Sequence, residues 1–182
     1  MFNVLYIHGA LSQFDANNER IKNIEKLVVL DHNTQVFGID YKLSDSFESI
    51  KAKAYAALIK HDIDVVVGCS FGGFLASHVV ENLSVSCVVI NPVLSANTMF
   101  SRYDDINNDF IGKEINTDSV NYVFLGDEDK IINPISSYHY FKSRDVGVEI
   151  GHGDHRYINV NINDKLKELF CNDMGNCWEN AD

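Results

Sequence analysis

The sequence predicts an α/β domain, a mostly parallel sheet of about six strands with helices on both faces. Short β-branched and apolar runs alternate along the chain with segments whose apolar positions repeat at helical spacing. The runs themselves, such as Val65-Val66-Val67 and Val88-Val89-Ile90, are apolar throughout, as strands covered on both faces must be. Polar and glycine-rich stretches follow these runs directly, at the ends where parallel sheets build their sites.

A chain of 182 residues, 46% of them hydrophobic, suits one domain with a sizeable core. No apolar run approaches the ~18–20 residues that cross a bilayer. Met1 to Ile7 lacks a basic n-region and a small-residue cleavage site, so it reads as a first strand. A cytoplasmic location is expected. The formal net charge of −11 argues against nucleic acid and anionic membrane surfaces, both of which need clustered cations. Cys69 and Cys87 sit in strand-like surroundings and are expected to be buried thiols. Cys171 and Cys177 are not spaced as a CxxC pair, and no structural metal is expected.

Phe2 to Ile7 is the first expected strand, followed at once by His8-Gly9-Ala10-Leu11-Ser12. Asp15 to Leu27 is predicted helical, with Ile21, Ile24, Leu27 and Val28 at helical spacing and Asp15 or Asn17 as the cap. Thr34 to Ile39 is the second strand; Asp40-Tyr41 beyond it reads as a polar loop pair. Ser46 to His61 is a helix and Asp64 to Cys69 the third strand. The third strand runs into Gly68-Cys69-Ser70-Phe71-Gly72, a Gly-x-Ser-x-Gly turn that leads into the apolar Phe74 to Val80 segment. Strand, sharp turn and helix make the setting of a nucleophile elbow, with Ser70 raised clear of the sheet at a helix N-terminus.

Val85 to Ile90 is the next strand and closes on Asn91-Pro92. Residues 93–119 break the alternation and read as a small cap over the site, with Phe100, Tyr103 and Phe110 available to cover an acyl group or to anchor the loop. Asn121 to Leu125 is a strand ending in Gly126-Asp127-Glu128-Asp129; Pro134 opens a helix. Val146 to Ile150 is the last strand, before Gly151-His152-Gly153-Asp154-His155, and Val160 to Phe170 the closing helix. The domain is thus expected over 1–170, with a polar tail at 171–182.

Read by position, Ser70 is followed by an acidic cluster after the next-to-last strand and by two histidines after the last one. That is the Ser…acid…His order of α/β-hydrolases. Asp127, Glu128 and Asp129 compete for the acid, and His152 and His155 for the base. A strand ending in His8-Gly9 ahead of an elbow is where such enzymes form an oxyanion hole, from the N–H of Ala10 or Leu11 together with that of Phe71. His8 itself reads as a loop histidine; His8, Leu11 and Phe100 are the candidate substrate contacts.

Tyr6-Ile7-His8-Gly9, Gly68 to Phe74, Asn91-Pro92, Gly126-Asp127-Glu128 and Gly153-Asp154-His155 together resemble α/β-hydrolases, in particular the small YqiA-type bacterial esterases. The resemblance implies a compact domain with a modest lid that hydrolyses carboxylic esters or thioesters. A serine, acid and histidine would do so without cofactor or metal, and the aromatics Phe71, Phe74, Phe100 and Phe110 suit small acyl groups. The resemblance also selects Asp129, three residues after the glycine, over the runner-up Asp127, and His155 of Gly-x-His over His152. The lid and the tail after Cys171 have no counterpart in it. Acyl transfer, amide cleavage, or ligand binding without catalysis remain compatible with the same residues.

Overall fold

The computed structural model describes residues 1–10, 12–26, 28–29, 32–156 and 162–173. Six strands are parallel: β1 (Phe2–Ile7), β3 (His32–Gly38), β4 (Val65–Cys69), β5 (Ser86–Ile90), β6 (Tyr122–Gly126) and β7 (Gly147–Gly151). A two-residue strand, β2 (Val28–Val29), pairs antiparallel with β3 at the edge, and the order is β2-β3-β1-β4-β5-β6-β7. β1 is followed by a strand on one side of it, whereas β4 is followed by a strand on the other. The connections leaving β1 and β4 therefore part between these two neighbours, opening a crevice at their C-terminal ends.

Helices cover both faces, because the central strands bury both. On one face α1 (Glu19–Glu25) and α6 (Ile162–Asp173) place Ile21, Ile24, Ile162 and Leu166 on Val4, Tyr6, Val67 and Cys69. On the other, α2 (Phe47–His61), α3 (Phe71–Val79) and α5 (Pro134–Lys142) pack Ile50, Phe74 and Phe141 over Leu5, Val66 and Val89. The caps follow from sequence. The Ser46 side chain accepts from the Ser49 amide to start α2, and Asn133 accepts from Ser136 to start α5, with Pro134 in the first turn.

Two expectations are corrected. The first helix is shorter than 15–27 and is capped by Asn18, because Asp15 spends its carboxylate on the Asn17 amide in a turn. Val28, expected on that helix, belongs to β2; Leu27 lies outside the described residues. Tyr41, read as half of a polar loop pair, is buried and its hydroxyl donates to the His8 carbonyl at 2.7 Å.

Residues 93–119 fold into α4 (Asn97–Phe100) and two 3-10 turns, Asn108–Phe110 and Thr117–Ser119. Backbone bonds from Val93 N–H to Ser70 O and from Ile115 N–H to Leu94 O tie the segment down. Phe110 is fully buried and meets Phe47, Phe71 and Phe74 at ring-centroid distances of 5.6, 5.2 and 6.3 Å. It anchors the segment in the core. The last helix runs to Asp173, so Cys171 continues it; residues 174–182 lie outside the described residues.

Candidate active site

The site begins with a strained turn. Ser70 has φ 56° and ψ −122°, a conformation that costs a non-glycine residue about 1–3 kcal/mol. The surroundings hold it there: the Ser70 amide donates to Ile90 O, and the Ser70 carbonyl accepts from Gly73, Phe74 and Val93. Two glycines make the turn sterically possible. A β-carbon on Gly72 would lie 2.1 Å from Ile7 O and 2.2 Å from His8 O, and one on Gly68 would lie 2.4 Å from Gly72 O. These are backbone atoms of packed strand and helix and cannot swing aside. Gly72→Ala is expected to destabilise the fold by about 4 kcal/mol or more. Gly112→Ala, at φ 74° with nothing within 4 Å of the new carbon, should cost only about 1 kcal/mol. Urea unfolding midpoints of the two variants test this; equal losses would refute the steric account.

From Ser70 a continuous hydrogen-bonded line leads to a buried carboxylate. His155 Nε2 lies 3.0 Å from Ser70 Oγ, and His155 Nδ1 lies 2.7 Å from Asp129 Oδ2. The Asp129 side chain is fully buried, that of His155 20% exposed. Burial alone would raise the Asp129 carboxyl. Hydrogen bonds from His155 and from the Ile132 and Ile131 amides outweigh it and hold the group below its ordinary value. Those amides reach Oδ1 at 2.9 and 2.7 Å, so both carboxylate oxygens are fixed. An ionised Asp129 makes Nδ1 the protonated nitrogen and leaves Nε2 as the acceptor facing Ser70.

The competing residues go elsewhere. Asp127 accepts from the Gly153 amide at 3.1 Å and lies 3.4 Å from His152, both side chains well exposed. That pair braces the rim of the loop.

Across from Ser70, the N–H groups of Ala10 and Phe71 donate to no other group among the described residues. Leu11 lies outside them. Phe71 is the first residue of α3, so its amide has no acceptor within the helix. Two cavities meet at Ser70. One, of about 150 Å³, has walls from Val93, Met99, Tyr103 and Ile132; the other, of about 550 Å³, is bordered by Tyr6, Gly9, Arg20 and Cys69. Ala10, Ser70 and His155 border both.

His8 and Phe100 border neither. His8 is buried and stacked on Tyr41, ring centroids 4.4 Å apart, with Nδ1 2.8 Å from the Gly9 carbonyl. Burial pushes its imidazole pKa down, which keeps it neutral. It shapes the loop that presents Ala10. Phe100 packs against the core, and its neighbour Met99 faces the cavity in its place.

The family described as Uncharacterised protein family (UPF0227) matches residues 3–123, two thirds of the chain. The chain belongs to UPF0227. The match takes in the His8-Gly9 loop and the Ser70 elbow but stops before Asp129 and His155. No curated protein matches. Among solved structures, this UPF0227 chain is similar to the esterase domain of a Rhodothermus marinus protein at 13% identity. That match has a TM-score of 0.66 and covers 92% of this chain and 85% of the other. It is similar to the ydeN gene product of B. subtilis at 16% identity and TM-score 0.68, covering 93% and 99%. An α/β hydrolase from a lagoon-sediment metagenome matches at 11% and 0.65, covering 96% and 92%. These likenesses make the fold that of the α/β-hydrolases.

One residue of this UPF0227 site carried no role in the sequence reading. Asn91, buried at the end of β5 with φ 43°, donates through Nδ2 to the carbonyls of Asp154 and His155 at 3.1 and 3.0 Å. Its Oδ1 accepts from the Gly126 amide at 2.8 Å. Asn91 thus ties the histidine loop to β6. Its signal was the Asn-Pro pair closing an apolar strand, where a polar residue that must be buried needs partners. Among the described residues, no group of three His, Cys, Asp or Glu is placed to hold a metal, and no helix is long and apolar enough to cross a membrane.

Proposed function

We propose that this protein is a serine hydrolase cleaving carboxylic ester or thioester bonds of small acyl substrates. The observation that supports it most is the Asp129–His155–Ser70 line of hydrogen bonds ending on a serine in a strained elbow. His155 Nε2 takes the Ser70 proton as Oγ adds to the acyl carbonyl. The oxyanion is met by the amides of Ala10 and Phe71, each such donor lowering the barrier by about 3 kcal/mol. The imidazolium, stabilised by Asp129, returns its proton to the departing alkoxide or thiolate. Water then adds to the acyl-enzyme with His155 as base, and Ser70 is released with the acid.

The 150 Å³ cavity supports a short apolar acyl group, since a void of about that size takes a benzene-sized ligand. Its walls at Met99 and Tyr103 come from the 93–119 segment, which on this reading is the cap. The chain's action on esters or thioesters is consistent with its likeness to the Rhodothermus esterase domain and, at 12% identity, to a thioesterase domain from the curacin biosynthetic pathway.

A fluorophosphonate probe tests the nucleophile. The protein is expected to gain one adduct, mapped to Ser70 by peptide mass, and Ser70→Ala to gain none. A folded wild-type protein that takes up no probe would sink the reading in favour of a non-catalytic binder.

A further inference from the structure

The larger cavity at Ser70 holds a group that the hydrolase chemistry does not use. Arg20, on α1, is only 5% exposed. Its Nη1 donates to the Tyr6 hydroxyl at 2.8 Å, while Nε and Nη2 are buried and, among the described residues, find no oxygen or nitrogen acceptor, the Cys69 thiol being the one weak partner beside them. Nε–H and Nη2–H point the same way along one edge of the planar guanidinium, the edge that grips both oxygens of a carboxylate. No carboxylate lies within ion-pair distance of Arg20 among the described residues. The groups beside it are the Tyr6 hydroxyl and the Cys69 thiol, and burial holds Tyr6 well above the ordinary phenol range. A buried guanidinium without a full counter-charge is costly, and the cost falls when an anion arrives.

We infer that Arg20 is an anion subsite, and that the preferred substrate is an ester or thioester with a carboxylate on the half that enters the larger cavity. This rests on the hydrolase reading above. The cavity of about 550 Å³ joins Ser70 and His155 to Arg20, so one substrate can occupy both ends. The small cavity on the other side of Ser70, walled by Val93, Met99, Tyr103 and Ile132, receives the uncharged half; Arg102 at its border is exposed and donates to the Ile131 carbonyl. One buried cation balances one negative charge, which fits a carboxylate better than a dianionic phosphate. Glu19 and Arg156, both exposed at the cavity's border, carry opposite charges and largely offset each other. The selectivity is therefore assigned to the buried fork and not to the chain's overall charge of −11, which opposes anions.

Two matched substrate pairs test it: monoethyl succinate against ethyl butyrate, and the butyryl ester of glycolate against that of glycolamide. With the acyl group in the small cavity, wild type should favour the glycolate ester over the glycolamide ester by about 10–100-fold in kcat/KM, mainly through KM. Monoethyl succinate, charged on its acyl half, should gain nothing over ethyl butyrate. In Arg20→Gln the glycolate-to-glycolamide ratio should collapse towards one, with Arg20→Lys between. The ratio is taken within each variant, so a general loss of activity does not mimic the result. If Arg20→Gln does not fold, wild-type inhibition decides: glycolate must compete against the uncharged ester, and glycolamide must not. Cleavage of the uncharged esters with no preference for the glycolate ester and no such inhibition overturns the anion subsite alone. No cleavage of any ester overturns the hydrolase reading, and this inference with it.

Discussion

Ser70→Ala is expected to lower kcat/KM for a short acyl ester by about 10⁴–10⁶-fold, and His155→Ala by a similar factor. The two side chains lie 3.0 Å apart and act as one unit, so the double variant should be no slower than either single one. On the proposed mechanism the first variant loses the attacking oxygen and the second its proton acceptor. What survives should be the weaker catalysis that the Ala10 and Phe71 amides and the cavity supply without a nucleophile, about 10³–10⁴ over water. Steady-state kinetics on the three variants, with circular dichroism to show that each is folded, give the measurement. Singles that multiply in the double variant would mean that serine and histidine serve separate steps, and the covalent mechanism would fall.

Asp129→Asn should cut kcat by about 10⁴-fold while the protein remains folded. The asparagine Oδ1 can still accept from the Ile131 and Ile132 amides, so the loop keeps its shape. Its other end then presents an NH₂ to His155 Nδ1. That nitrogen must now accept, Nε2 must carry the proton, and the imidazole faces Ser70 as a donor unable to take the hydroxyl hydrogen. The prediction includes its own control. Asp127→Asn changes a carboxylate two residues away that meets His152 and the Gly153 amide at the rim, and should leave kcat within a few-fold. Loss of activity in Asp127→Asn with none in Asp129→Asn would reverse the assignment of the acid.

Much of this was legible in the residues, and the reasons differ from place to place. The central strands announce themselves because a strand covered on both faces must be apolar at consecutive positions, as in Val65-Val66-Val67. The elbow was legible because its constraint is local: strand, glycine, serine and glycine within a few residues force the turn. The start of α1 was not, since Asp15, Asn17 and Asn18 can all cap, and Asp15 is taken up by the turn it closes on Asn17, which leaves Asn18 to accept from Arg20. The fate of the aromatics was equally hidden. Phe110 fills the core against Phe71, Phe100 packs beside it, and the cavity takes Met99 and Tyr103; apolar side chains carry no mark of the wall they will line. Arg20 gave no warning either, because an arginine at the start of an amphipathic helix is ordinarily solvated.

By itself the sequence determined the α/β class, the position of the turn that lifts Ser70, and the pool of residues from which an acid and a base could come. These are set by short-range sterics and by the need to bury apolar runs. Tertiary structure alone decided which members of that pool meet. The register of β6 on β7, with Gly126 opposite Gly151, brings the two loops together so that Asp129 reaches His155 across 26 residues of chain. Asn91 then locks the histidine loop from β5, and α1 lays the buried guanidinium of Arg20 against the same cavity. Such contacts depend on how distant segments align, and the free energy that aligns them comes from the whole core.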